Sequence, residues 1–306
     1  MTLPSTITLP EKYSGTGYPY DSNIHLLSMF PEYGDNMNIL IELIKNEKNI
    51  NIKNASGLTP MMVAIQHARI DSVKLLITNK ADINIKDETG YDALMYALLY
   101  SEDDNDDNIE LIKFLIISGA DVNTQDICGR TILMRAVHHS CDAVLKMLLC
   151  YGADVTIKDI NGWTALIYSL WQPDIEIIKL LIDYKIDVNI KDIDGMTALM
   201  FVVNGFRSTE IKLLIKNNIN VNAKDNNGMT ALMIALQNSN IAVQNSNIKT
   251  IKLLIKNKAT ICKETIEITR KIHGEDSEVY KYVFNFKYIK YDFLCVFDVD
   301  FIYNTI

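Results

Sequence analysis

The chain has 306 residues, of which 48% are hydrophobic and 22% charged, with a formal net charge of −8. The apolar content is ample for a continuous core, and the negative balance argues against DNA or RNA as a partner, because phosphate binding needs a positive field. Cysteines 128, 141, 150, 262 and 295 form an odd, unspaced set, which suits reduced thiols better than a disulfide framework. The first residues lack the basic start and apolar run of a signal peptide, and no apolar stretch approaches membrane-spanning length. A soluble, cytoplasmic protein with no membrane association is the expectation.

Residues 1–21, with Pro4, Pro10, Gly15, Gly17 and Pro19, show no helical period and read as a leader. Residues 22–53 hold two short apolar helices, at 22–30 and 36–46, and read as a degenerate capping unit. From residue 54 a single pattern repeats. Its clearest copy is 159–191. Asp159 and Gly162 make a turn, since Asp accepts local backbone hydrogen bonds and Gly takes angles other residues avoid. Thr164 is placed to N-cap a short helix carrying Ala165, Leu166, Ser169 and Leu170. Pro173 and Asp174 break that helix, and Ile175, Ile178, Leu181 and Ile182 line a second. Asp187 to Asn189 return the chain as an extended segment.

The turn glycine recurs at intervals of 33 as Gly129, Gly162, Gly195 and Gly228, and again between Gly57 and Gly90. Six extra residues separate Gly90 from the later register. A period of 33 built from turn, helix and helix is a repeat architecture. The units run 54–86, 87–125, 126–158, 159–191, 192–224 and 225–263. Two carry insertions between their helices. In the second unit the insertion holds Glu102, Asp103, Asp104, Asp106 and Asp107; it lacks the Gly and terminal Glu of a calcium loop and reads as a solvated connection. In the sixth, QNSNI at 237–241 recurs at 244–248, which reads as a longer polar loop.

These residues resemble the ankyrin repeat. Its T-P-L-H element appears as TPMM from Thr59, DALM from Asp92, TILM from Thr131, TALI from Thr164, and TALM from Thr197 and Thr230. Its V-x-x-LL and G-A-D-V-N elements appear as VKLLITNKADIN and IKFLIISGADVN. The resemblance implies an all-α solenoid of paired antiparallel helices with hairpin or turn fingers. Four units depart from the family by placing Lys80, Lys185, Asn218 and Lys258 where Gly ends the second helix. A left-handed backbone there would cost each lysine about 1 kcal/mol. The family's histidine is Met or Ile throughout, which exchanges a turn hydrogen bond for apolar contact. Five arginines stand against 25 lysines, and Ile and Asn are abundant. With the TALM variant, this looks like the ankyrin proteins of AT-rich giant viruses of amoebae.

Catalysis finds no candidate: no phosphate loop, H-E-x-x-H, G-x-S-x-G or kinase set occurs. His138, His139 and Cys141, with Cys128 and Cys150, lack the paired spacing of a zinc site, so no metal or cofactor is expected. The resemblance implies instead a non-enzymatic module that binds a protein partner and acts as a monomer. In that fold the variable positions are the two between the turn Asp and Gly, the one after the Gly, and two near the end of the first helix. By register the third position holds Leu58, Tyr91, Arg130, Trp163, Met196 and Met229. The helix-end pair includes Gln66 and His67, Leu99 and Tyr100, His138 and His139, and Trp171 and Gln172. Trp, Tyr and Arg dominate binding hot spots, which singles out Tyr91, Tyr100, Arg130, His138, His139, Trp163 and Trp171 as a patch on the concave face. The alternative for the larger rings is packing between neighbouring repeats.

Asn84, Asn123 and Asn189 each follow a leucine by eight residues and resemble ankyrin asparagines hydroxylated by an oxygen-sensing enzyme, although the repeat pattern alone accounts for them. Past residue 263, KETIEITRKI reads as one more first helix ended by Gly274. In the remainder, Val279, Tyr282, Val283 and Phe286 suit an amphipathic helix and FLCVFDVDFIY alternates like a strand. Residues 264–306 read as a C-terminal cap. The alternative is an adaptor segment that recruits a second protein, such as a ubiquitin-ligase component, although no matching leucine–proline element is present.

Overall fold

In the computed structural model of the protein, the described residues are 41, 44–45, 49–100, 106–138, 141–171, 174–205, 207–237 and 244–291. The expected leader, the 22–30 helix, the FLCVFDVDFIY strand and His139 lie outside them. The described residues are helical, with no strand among them. They fall in two compact units, Met1–Ala136 with Ala143–Ala153, and Val137–Asp142 with Asp154–Ile306.

Each repeat opens with a helix of five to seven residues and continues with a longer one. In the first unit these are α1 (Pro60–Gln66), α2 (Ile70–Thr78), α3 (Ala93–Leu99) and α4 (Asp106–Ile117), followed by α5 (Ile132–His138), which runs into the second unit, and α6 (Asp142–Cys150). Helix α1 packs on α2 and on α3, and α3 packs on α4. Such short helices are marginal alone, so burial holds them. Met61, Met62, Leu76, Leu94, Met95, Ile112 and Leu115 are fully enclosed, each worth roughly 1.5–3 kcal/mol.

The second unit holds α7 (Ala165–Ser169), α8 (Ile175–Asp183), α9 (Ala198–Asn204), α10 (Ser208–Lys216), α11 (Ala231–Gln237) and α12 (Gln244–Lys256), then α13 (Lys263–His273) and α14 (Glu278–Tyr291). First helices stack in sequence, α7 on α9, α9 on α11 and α11 on α13. Gly274 ends α13 with φ 74°, as its sequence position suggested. Helix α14 packs on α13 and buries Val279, Tyr280 and Val283. Its buried side therefore includes Tyr280, while Tyr282 and Phe286 are half-buried.

The insertions differ from expectation. Asp106 and Asp107 begin α4, which is twelve residues long where α2 has nine; carboxylates are favourable at a helix N-terminus. The second QNSNI copy, 244–248, opens the thirteen-residue α12. Part of each insertion thus lengthens a second helix. The return segment is a turn at Val188–Asn189, and the fingers hold only isolated bridges, Gln125–Thr131, Lys191–Thr197 and Lys224–Thr230.

Capping is uneven. The hydroxyls of Thr59, Thr131 and Thr230 accept the N–H three residues on at 3.3 Å. Thr164 has the extended N-cap backbone, but its hydroxyl makes no cap bond. The methionines in place of the family's histidine are not purely apolar substitutes. The thioethers of Met62 and Met200 accept the N–H groups of Thr59 and Thr197 at 3.4 and 3.5 Å, which sulfur does weakly. Lys80, Lys185, Asn218 and Lys258 adopt φ of 65°, 61°, 64° and 70°, the left-handed conformation that Gly119 and Gly152 also take.

Adjacent repeats are fastened through asparagine. Asn84 donates to the Gly119 carbonyl at 3.1 Å and accepts the Asp121 N–H at 2.9 Å. Asn189 reaches Asn218 and Asn220 in the same way, and Asn222 reaches Lys258 and Thr260. Lysine adds a parallel set of bonds: Lys53, Lys86, Lys158 and Lys191 donate to the carbonyls of Lys86, Gln125, Lys191 and Lys224. The asparagines singled out for modification therefore have a structural task.

Candidate protein-binding surface

The turn carboxylate builds each finger from its own backbone. One oxygen of Asp159 accepts the N–H groups of Asn161 and Trp163, both at 2.8 Å, and the Asp159 N–H returns to the Trp163 carbonyl at 3.0 Å. Asp87, Asp126, Asp192 and Asp225 do the same for Tyr91, Arg130, Met196 and Met229. This fixes the direction of the residue after the glycine. Glycine is required twice over at Gly162: φ is 76°, and a Cβ would lie 2.9 Å from the Asp192 Cα in the next finger.

The other carboxylate oxygen takes a side chain nine residues on, at the middle of the first helix. Tyr96 Oη donates to Asp87 at 2.7 Å and Tyr168 Oη to Asp159 at 2.9 Å. Arg135 Nη2 donates to Asp126 at 2.5 Å, joined by Arg130 Nε at 3.1 Å. Burial and the Asp87 carboxylate together push the Tyr96 phenol far above its ordinary value. Burial also pushes the Asp126 carboxyl up, but hydrogen bonds and charge from Arg130 and Arg135 outweigh it, so the group titrates below the ordinary carboxylate value. The sequence did not single out Tyr96, Arg135 or Tyr168. A step of nine from each turn aspartate would have found them, since the series runs Tyr, Arg, Tyr and then Phe201 and Ile234.

Within the first unit, Tyr91 meets Tyr96 edge-on at 5.9 Å, and Tyr96 stacks on Tyr100 at 5.9 Å. Tyr100 is 43% exposed and accepts from Gln66 Nε2 at 3.1 Å. The Arg135 guanidinium lies 4.3 Å over the Tyr91 ring. Tyr91 and Tyr100 thus sit in one aromatic row, while Arg130 is partly committed to Asp126. Leu58, the equivalent of Tyr91 one repeat earlier, is buried because its apolar side chain has nothing to gain from water.

Within the second unit, Trp163 is half-buried and Trp171 is 60% exposed, their rings 5.6 Å apart and tilted by 34°. Phe201 and Tyr168 meet Trp163 edge-on, each at 5.8 Å. Trp163 Nε1 donates to Asp192 at 3.3 Å. His138 is exposed at the end of α5. The fingertips add apolar surface beyond the aromatic, arginine and histidine positions: Ile160 and Ile193 are 64% and 61% exposed. They occupy one of the two variable positions between Asp and Gly. No helix among the described residues is long and apolar enough to cross a membrane.

The family model for ankyrin repeats (3 copies) matches residues 25–107, 101–192 and 176–265. The chain belongs to the ankyrin-repeat family. Among solved structures it is similar to the ankyrin repeat domain of Bcl-3, described as a unique member of the IkappaB protein family. The identity is 22% and the TM-score 0.61, over 70% of this chain and 93% of that one. That likeness concerns the fold. No curated protein matches the chain. Ankyrin repeats are generally protein–protein interaction modules, and this chain has their solenoid fold.

Proposed function

We propose that the protein is a non-enzymatic binding module that grips a protein partner on the concave side of its repeats. The observation that carries this is the tryptophan pair: Trp171 leaves 60% of its surface in water while touching a half-buried Trp163. Stiff aromatic side chains at the end of a short helix lose little freedom when a partner covers them. Tyr91 and Tyr100 extend the reading in the first unit, with Arg130 and the exposed His138 as polar contacts. An arginine-poor, Ile- and Asn-rich composition supports a viral chain acting in host cytoplasm on a host protein. The rival role is an adaptor through the C-terminal segment; the packing of α14 on α13, with Val279, Tyr280 and Val283 buried, supports a cap instead.

The test is affinity capture from host-cell lysate with the full chain and with a Trp163→Ala, Trp171→Ala double variant. The variant is expected to lose the captured protein while keeping helical content and melting. Undiminished capture by a folded variant would overturn the assignment of the surface.

A further inference from the structure

One three-residue arrangement occurs twice with different third members. In the first unit it comprises Tyr91 after a turn glycine, Asp126 in the next turn, and Arg135 nine residues further on. The Arg135 guanidinium lies over the Tyr91 ring at 4.3 Å and donates to Asp126 at 2.5 Å. In the second unit the equivalent positions are Trp163, Asp192 and Phe201. Ring and carboxylate are both kept, but Phe201 stands where Arg135 stands and brings no charge. The indole Nε1 then turns to the Asp192 oxygen at a long 3.3 Å, and Trp171 adds a second, mostly exposed ring.

The second unit's own arginines are engaged elsewhere. Arg207 donates to the Leu170 carbonyl, and Arg270 pairs with Glu275 at 2.7 Å beside the Tyr280 ring. Lys158 and Lys191 donate to finger carbonyls. Asp194, exposed two residues beyond Asp192, places a second negative charge at the same turn. A planar guanidinium stacks on aromatic faces and presents donors to a carboxylate at once. We infer that Trp163, Trp171 and Asp192 receive an arginine side chain of the protein partner, as Tyr91 and Asp126 receive Arg135. This rests on the protein-binding reading above and specifies its chemistry: the partner presents a basic segment to the second unit.

The probe is a fluorescein-labelled Gly-Arg-Gly-Arg-Gly peptide, followed by anisotropy against the full chain at physiological ionic strength. Its twin carries citrulline, a neutral isostere, at both arginines. The arginine peptide is expected to bind about tenfold more tightly than the citrulline peptide, the scale of one desolvated cation–ring contact. Trp171→Ala and Asp192→Asn should each remove most of that difference. Phe201→Arg should supply the guanidinium internally and abolish the preference, with melting unchanged. Equal binding of the two peptides overturns the inference, as does full affinity in folded Phe201→Arg. Should that variant unfold, Asp192→Asn and Trp171→Ala decide alone. Capture of the partner separates the two readings. If it is lost on replacing both tryptophans but indifferent to Asp192→Asn and Phe201→Arg, the arginine is wrong and the binding surface stands.

Discussion

Asp92 caps α3 by accepting the Met95 N–H at 2.9 Å, at the position where every other repeat carries threonine. The side chain is buried, and burial lifts its carboxyl from 3.8 to about 6, against the opposing pull of the Met95 N–H and Lys86. The folded state therefore holds a proton that the unfolded chain releases in that interval. The stability contributed is complete below pH 3.8 and is lost as pH rises through about 6. Asp92→Asn keeps the cap acceptor and cannot ionise. It is expected to be more stable than the parent at pH 7 by on the order of 2 kcal/mol and equal to it near pH 4. Denaturant midpoints across that range check this, and the difference between the two chains cancels other titrating groups such as His67.

The left-handed lysines give an independent handle on stability. Lys80, Lys185 and Lys258 hold φ above 60°, where a Cβ crowds the backbone. Lys185→Gly is expected to raise stability by about 1 kcal/mol, whereas Asn218→Gly should gain less, because Asn tolerates this region. Urea unfolding of the two variants makes the comparison.

Arg135 anchors a carboxylate whose side chain has no exposure. Arg135→Met keeps much of the volume and leaves Asp126 with Arg130 and its turn N–H groups. The expected loss is about 1–3 kcal/mol. Because the native Asp126 carboxyl titrates below its ordinary value, its contribution is present above that value and disappears as pH falls below it. The variant should therefore unfold at a higher pH than the parent during acid titration followed by circular dichroism.

The asparagine bonds predict an asymmetry. Asn222 accepts the Thr260 N–H at 2.7 Å and donates to the Lys258 carbonyl at 3.0 Å. Asn222→Asp keeps the first contact but sets a carboxylate oxygen against a carbonyl. Both it and Asn222→Ala should cost about 0.5–1.5 kcal/mol, with added salt recovering part of the loss only for the aspartate. Melting at low and high ionic strength separates them.

The 33-residue register was legible because each turn glycine answers a geometric demand: all hold a left-handed φ, and Gly162 would also collide with the next finger if it carried a side chain. The position of Trp163 follows from the same register, since the Asp159 carboxylate fixes the residue after the glycine. Tyr96, Arg135 and Tyr168 escaped because their helical spacing looks like core, and only the three-dimensional return to the turn shows their second task. Asp106 and the second QNSNI copy read as polar loop because composition alone does not distinguish a solvated loop from a solvated first turn of helix. Thr164 shows the reverse failure: the right residue at the cap position, without the bond.

The asparagine clasps of the second unit at Asn189 and Asn222 close on main-chain atoms of the following repeat. Asn218 and Lys258 serve equally well as acceptors because what they offer is a carbonyl common to all residues. A joint of that kind is indifferent to which module comes next. At these two joints a 33-residue block could be exchanged with the asparagine bonds kept, whereas the contacts of Trp163 with Asp192 and Phe201 tie neighbouring repeats through particular side chains.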